Sequence, residues 1–452
     1  MLPRLRARPL RRLLAPSTRV RLFSAVASRR SQCEQITVPC RSNGSIKLDI
    51  FPASTSSSPI LIYLPSGPVL PDYSDEEGRV ISALAASTGA TIARINYRAS
   101  LEHQFPTPYH DVLFGYDWIL ENLLEHESST KARKPQPARL GICGELVGGS
   151  LATMLALTEC QRGENRIVAA AVNSPIVDWV FPDDLPVLPP SELPEPFAPE
   201  ETQFPADQDL MTWWTREDRQ EPTPAIQKRQ KRAPKPPPPT SWQLYSDNET
   251  IPTLTLSGER DVLFRKPEDY FDRFASPIHF FRSPHGYLTY PHGEDIIASS
   301  SPSEQPKDPF DWETRMSIDH FESFDDSSTT PELPTLARCR AYARIYPPSG
   351  TSLSLPQWHI TTGTQSPLLD QASELTKMVR RSIARQTLRT NTQRDLWHDP
   401  AEKAKYETYA EQRVQWNEVE GLGLWSQPDE TPDWQSQIEA VGTWMGAGLA
   451  RP

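Results

Sequence analysis

From residue 36 to 180 the chain alternates short apolar runs with stretches whose apolar positions recur every three or four residues. SPILIYLPSG (58–67) and GATIARINYR (89–98) are β-rich runs bounded by Pro and Gly, the pattern of buried strands. Between them EEGRVISALAAST (76–88) has helical spacing. In HDVLFGYDWILENLLEH (110–126), Val112, Leu113, Tyr116, Ile119, Leu120 and Leu123 fall on one face of a predicted helix. A strand over 138–144, a helix after it and a strand over 166–174 follow. Strand and helix alternate four times, which predicts an α/β protein with a mostly parallel sheet covered by helices on both faces.

The pattern lapses over 182–250, a Pro-rich insertion. Fifteen prolines fall between 182 and 240, including the run KRQKRAPKPPPP (228–239), and such a stretch propagates neither a helix nor a sheet ladder. A short helix is predicted inside it at 209–218, where Trp213 and Trp214 either cover a pocket mouth or tether the loop. The α/β pattern resumes with IPTLTLSGERDVL (251–263), a helix at PEDYFDRF (267–274) and PIHFFRSPHGYL (277–288). An acidic, Ser/Pro-rich linker over 294–335, expected to be disordered, leads to a C-terminal region, 336–452.

In that region LPQWHITTGTQSPLLDQASELTKMVRRSIARQ reads as strand, turn and helix. Ser366 and Pro367 suit the N-cap and first helical positions, and Leu368, Ala372, Leu375, Val379 and Ile383 form the buried stripe. A second helix is predicted from Asp399–Pro400 to about Glu420, then a tail bearing Trp416, Trp425, Trp434 and Trp444. The units LTLSGERDVLFRKPEDYFDRF and HITTGTQSPLLDQASELTKMV share a strand–Gly–helix pattern and suit neighbouring places at one end of a sheet.

The first thirty residues hold nine Arg and no Asp or Glu; the first acid is Glu34. An Arg-rich, acid-free, Ser-containing start with interleaved Leu, Val and Phe reads as a presequence over 1–30 that directs the chain to mitochondria, most simply the matrix. Without it 38 cations face 58 acids, a net charge of −20, so no nucleic-acid partner is expected. No apolar run reaches the ~18 residues that span a bilayer. Cysteines 33, 40, 143, 160 and 339 show no CxxC pair and no metal-ligand spacing. They fit free thiols in a reducing compartment, and neither a metal nor a cofactor is expected.

RINYRASLEHQFPTPYHDVLFGYDWILENL resembles a sequence block of the hormone-sensitive-lipase-type esterases, the arylacetamide-deacetylase-like α/β-hydrolases. The resemblance continues through CGELVGGSLA, PTLTLSGERDVL and SPHGYL, in the family's chain order of nucleophile, acid and base. It covers roughly residues 58–290 and implies an α/β-hydrolase domain over 31–293, its insertion in the cap position, with 336–452 partly completing the sheet. It also implies a nucleophile elbow with Gly144, Gly148 and Gly149 as its small residues. Asp261 becomes the expected triad acid and His285 the base; Ser66, Gly67 and Val147 become the oxyanion donors. At the nucleophile position stands Leu146, which has no lone pair to attack a carbonyl. Pro65, in the oxyanion loop LPSGP, has no N–H to donate. Ser150, Ser66 and Cys143 are the nearest substitutes.

The leading expectation is therefore an α/β-hydrolase-fold protein without serine-esterase chemistry, acting as a ligand-binding or scaffolding protein. Its partners would be a small apolar ligand in the old pocket, or a protein met by the Trp-rich tail. Two other readings stay open: a hydrolase of an ester or thioester using His285 and Asp261 with water or another nucleophile, and a structural subunit of a mitochondrial assembly. The basic stripe Lys377, Arg380, Arg381, Arg385 and Arg389 is either a solvated face or a surface for an acidic partner.

Overall fold

The computed structural model describes residues 33–53, 58–70, 74–124, 139–162, 166–186, 188, 192–196, 200, 202, 204–206, 238–290, 334–391, 400–427 and 433–450. The expected presequence, the helix at 209–218 with its tryptophan pair, most of the basic Pro-rich run and the acidic stretch up to 333 lie outside these residues.

The strands are β1 (Glu34–Pro39), β2 (Ser45–Phe51), β3 (Ile60–Leu64), β4 (Thr91–Asn96), β5 (Arg139–Glu145), β6 (Arg166–Asn173), β7 (Gly286–Thr289), β8 (Thr335–Arg338), β9 (Gln357–Gly363) and β10 (Val414–Val419). The main helices are α1 (Ser74–Thr88), α2 (Thr107–Ile119), α3 (Leu146–Thr158), α4 (Thr253–Leu263), α5 (Leu369–Asn391), α6 (Pro400–Arg413) and α7 (Trp434–Ala450). Eight strands form one sheet in the order β1-β2-β4-β3-β5-β6-β9-β10. From β4 to β10 all neighbours are parallel, while β1 and β2 add an antiparallel edge. Strands β7 and β8 make a separate antiparallel pair.

The four strands expected at 58–174 are present, and for the expected reason. Strand β3 is buried along its whole length, as a central parallel strand covered on both faces must be. On one face α2, α3 and α5 pack around Val112, Leu151 and Leu375; on the other α1 and α7 pack around Leu84, Ile438 and Met445. Helix α7 crosses α1 closely enough that a Cβ on Gly442 would fall 1.8 Å from Ser87 Oγ. The YR…D part of the sequence block is an ion pair at the start of α2. Asp111, fully buried, accepts from Arg98 Nη2 at 2.7 Å and from Arg98 Nε at 2.9 Å.

Three expectations are corrected. IPTLTLSGERDVL contributes no strand; it is the helix α4, because its buried residues Thr253, Leu256 and Leu263 follow a helical period and Leu254 is 83 % exposed. The sheet place next to β6 belongs to β9, whose Trp358 and Ile360 are fully buried. The helix predicted to reach Glu420 ends at Arg413 and the chain turns directly into β10. The buried stripe expected on α5 is present in full, and Ser366 Oγ accepts from the Leu368 N–H at 3.2 Å.

The C-terminal region thus completes the main sheet. Its tryptophans meet the chain's own core: Trp425 is buried, and Trp434 Nε1 donates to the Trp425 carbonyl at 2.6 Å. Among the described residues no helix is long and apolar enough to cross a membrane.

Candidate functional site

The C-terminal edge of the parallel strands is where such a sheet presents chemistry, and there β5 runs into α3 through a single sharp turn. Glu145 is still extended; Leu146 takes φ +51°, the left-handed region that costs a non-glycine residue about 1–2 kcal/mol. Crowding enforces the turn. A Cβ on Gly144 would lie 2.4 Å from the Gly148 carbonyl oxygen, and one on Gly148 would lie 2.1 Å from that of Pro65. Gly144 and Gly148 are therefore required by contact with backbone, while a Cβ on Gly149 would come within 3.1 Å of Pro175 Cα. The residue they present is Leu146, whose side chain is fully buried in the main core.

The oxyanion loop is closed against this turn. The Val147 N–H, one of the expected donors, donates to the Ser66 carbonyl at 3.3 Å. Tyr97 Oη donates to the Pro65 carbonyl at 2.8 Å, and Gly67, at φ +81°, packs on Val147. A helix-start N–H that would otherwise face an oxyanion thus already has a partner.

Asp261 and His285 are not brought together. Asp261 is exposed over 69 % of its side chain on α4, with Arg260 Nε at 3.5 Å and Tyr270 Oη at 3.5 Å. His285 lies beside another carboxylate, its Nε2 4.0 Å from Glu374 Oε1. Loss of water and the neighbouring Arg282 lower its pKa, although 36 % of the side chain meets solvent. The expected acid–base pair fails because the motif that carried Asp261 folds as a helix off the sheet.

The strand that does occupy the sheet, β9, repeats the spacing. Asp261 stands three residues after Gly258, and the residue three after Gly363 is Ser366, which is buried and brings no carboxylate. In the order nucleophile, acid, base, a base would follow the next strand; the loop after β10, Glu420–Gln427, contains no histidine. That loop is held at the elbow by Glu145. Its carboxylate, 1 % exposed, accepts from the Trp425 N–H, from the Ser426 N–H at 3.2 Å, from Ser426 Oγ and from Asn173 Nδ2 at 2.8 Å. Burial pushes this carboxyl up to about 7 against the pull of those hydrogen bonds. Sequence reasoning missed Glu145 as a clamp; its signal was an acid kept between an apolar strand and an apolar helix.

The substitute nucleophiles are placed elsewhere. Ser150 Oγ is buried toward the Ala275 carbonyl at 3.5 Å. Cys143 is fully buried, and burial raises its thiol well above the ordinary range. Beyond the end of β6 lies a largely buried charge cluster. Arg282, 1 % exposed, donates to Asp178 Oδ2 at 2.7 Å and to Glu374 Oε1 at 2.6 Å. Burial alone would raise both carboxyls, but Arg282 outweighs it and holds both low. It ties the exit of β6 to α5 and to the 3₁₀ turn Pro277–Phe280.

A glycine-flanked strand–turn–helix elbow at the C-terminal edge of a mostly parallel, helix-covered sheet defines an α/β-hydrolase. A family profile of the alpha/beta hydrolase fold matches residues 66–278. The ethyl acetate hydrolase of Pseudomonas putida is 31 % identical over 96 residues, 21 % of this chain and 28 % of that protein. Arylacetamide deacetylase-like 4 family member 1 of Mus musculus is 26 % identical over 132 residues, 28 % of this chain and 31 % of that protein. The chain thus matches less than a third of the length of these relatives. Carboxyl esterase 2 of the mycorrhizal fungus Tuber melanosporum shares the fold at TM-score 0.50 and 12 % identity, over 94 % of this chain and 90 % of that one. A thermostable carboxylesterase from a metagenomic library does so at TM-score 0.50 and 14 % identity, over 94 % and 92 %. These similarities support an α/β-hydrolase fold of the hormone-sensitive-lipase- and arylacetamide-deacetylase-like kind.

Proposed function

We propose that this protein is a non-hydrolytic member of its family, a scaffolding protein built on a carboxylesterase-like frame and working in mitochondria. One observation carries the reading: the residue at the elbow apex is a leucine whose side chain is wholly inside the core. An acyl-enzyme needs an exposed nucleophile, a base within hydrogen-bond reach of it and free oxyanion donors. Here the apex has no lone pair, the Val147 N–H is engaged, and the nearest carboxylate partner of His285 is Glu374. A filled elbow favours binding through the outer surface over a small apolar ligand at the old site.

The test is hydrolysis of nitrophenyl butyrate by the wild type, Leu146→Ser and His285→Ala. Neither wild type nor Leu146→Ser should exceed the rate of His285→Ala, because a serine at 146 would find no aligned base. Wild-type turnover that disappears in His285→Ala would establish the hydrolase reading instead. Localisation rests on the leader composition alone. A fluorescent fusion of the full chain is expected to enter mitochondria, and the fusion lacking residues 1–30 to stay outside; identical distributions would remove the mitochondrial assignment.

A further inference from the structure

At the opposite edge of the sheet, where the parallel strands begin, arginines gather, with Glu159 at the end of α3 beside them. Arg139 opens β5 and Arg166 opens β6, and the two are paired in register. Arg162 lies in the turn before β6, and Arg413 is the last residue of α6, next to β10. Among the described residues, the guanidinium groups of Arg139, Arg162 and Arg166 make no hydrogen bond and no ion pair. Arg166 feels the others: after loss of water, the charges of Arg413, Arg139 and Arg162 push its pKa down.

Two adjoining cavities open at this cluster, of about 170 Å³ and about 150 Å³, and Arg162 and Gln386 line both. Arg385 and Ser382 line the first, Arg413 and Tyr409 the second, and no carboxylate lines either among the described residues. Ser382 is 7 % exposed, and its hydroxyl has no protein partner among the described residues. Arg413 Nε is likewise buried without a hydrogen bond, while Nη2 donates to the Leu355 carbonyl. The ends of α3 and α6 point to this edge, but each helix C-terminus supplies only about half a negative charge. That leaves the guanidinium groups of Arg139, Arg162 and Arg166 without a hydrogen-bonded counter-charge among the described residues.

We propose that these cavities form an anion site for a phosphate group, with Arg162 at its centre and Arg413 and Ser382 in its walls. A carboxylate would bring one negative charge and two acceptors. A phosphate brings more charge and several acceptor oxygens, which guanidinium forks take up in pairs and a buried hydroxyl completes. The site lies across the sheet from the elbow and does not rest on whether the elbow is catalytic.

The test uses the full chain, with thermal unfolding followed in sodium phosphate against sodium chloride of equal ionic strength. A saturable rise in Tm is expected with phosphate only. Arg162→Gln should weaken the apparent affinity roughly tenfold or more, the cost of one charge-assisted hydrogen bond. The Arg162 guanidinium makes no hydrogen bond or ion pair among the described residues. Its backbone N–H, which donates to the Ser352 carbonyl, is kept in the variant, so Arg162→Gln should unfold at the wild-type temperature without ligand. Flotation with phosphatidylglycerol vesicles separates the sources. Vesicle binding lost in Arg162→Gln assigns the phosphate to a lipid headgroup, whereas a phosphate response without vesicle binding assigns it to a soluble ligand. No response to either probe, or equal responses from Arg162→Gln and wild type, would overturn the proposal.

Discussion

Replacing Arg282 with methionine is expected to cost about 3–5 kcal/mol, a large share of the ~5–15 kcal/mol that holds a domain folded. The size follows from what remains. Asp178 would be left buried, and Glu374 partly so, with their shared cation gone, and a buried carboxylate without a counter-charge is far costlier than a missing apolar contact. The loss would also release three elements at once, since Arg282 joins the β6 exit, α5 and the 3₁₀ turn before His285. Urea unfolding measures it. The triple change Arg282→Met, Asp178→Asn, Glu374→Gln should recover most of the stability, because no charge is left uncompensated. If Arg282→Met alone stayed within about 1 kcal/mol of wild type, at the level of an exposed pair, the cluster would have no structural weight.

Acidification from pH 7 to pH 4 should destabilise the protein by at least about 3 kcal/mol. His279 is fully buried and His359 nearly so, and burial pushes both from an ordinary 6.5 down to about 4. Asn417 Nδ2 donates to His359 Nε2 at 2.9 Å, which leaves the proton on Nδ1, facing Thr361 Oγ1 at 3.2 Å. The unfolded chain takes up these protons near pH 6.5 and the folded chain only near 4. Their stabilisation is therefore present above 6.5 and lost as pH falls, about 3 kcal/mol for each.

Glu145 acts in the opposite sense. Its carboxyl rises from 4.5 to about 7, so its contribution is present below 4.5 and lost as pH rises through 7, and acid returns about 3 kcal/mol. Asp178 and Glu374, both held low, add to the loss as they are protonated. Urea midpoints between pH 7 and pH 4.5 should fall in the wild type, fall less in His359→Gln and fall more steeply in Glu145→Gln. A midpoint that rises on acidification in the wild type would contradict the balance.

The parts of the fold legible in the sequence are those where burial on both faces writes a continuous apolar run. Ile60–Leu64 is of this kind, while the stripe from Leu368 to Ile383 was legible through its helical period. TLTLSGERDVL misled because its β-prone residues and its Gly–acid spacing fit a strand, while Leu256 and Leu263, seven apart, are the leucines it buries. Only the competing claim of β9 on the sheet decides between them, and that is a long-range fact no local window holds. The β1–β2 hairpin was passed over although Ile46, Leu48 and Ile50 alternate with polar residues, the period of a half-buried strand. At the site, the glycines and Leu146 were legible because crowding at the turn is local. The separation of Asp261 from His285, and the Glu145 clamp on a loop 280 residues away, depend on how distant segments meet.

Strand β6 makes a demand on the order of assembly. Its inner edge is paired to β5, but its outer edge is covered by β9, which begins only at Gln357. Until that segment arrives, a strand of Ile, Val and Ala offers a bare hydrogen-bonding edge to any extended chain nearby. Closure requires contacts of very high sequence separation, the kind that form slowly and late. A chain cut between β8 and β9 would keep its elbow and most of its core, yet it would carry an adhesive flank, and self-association would be its natural fate.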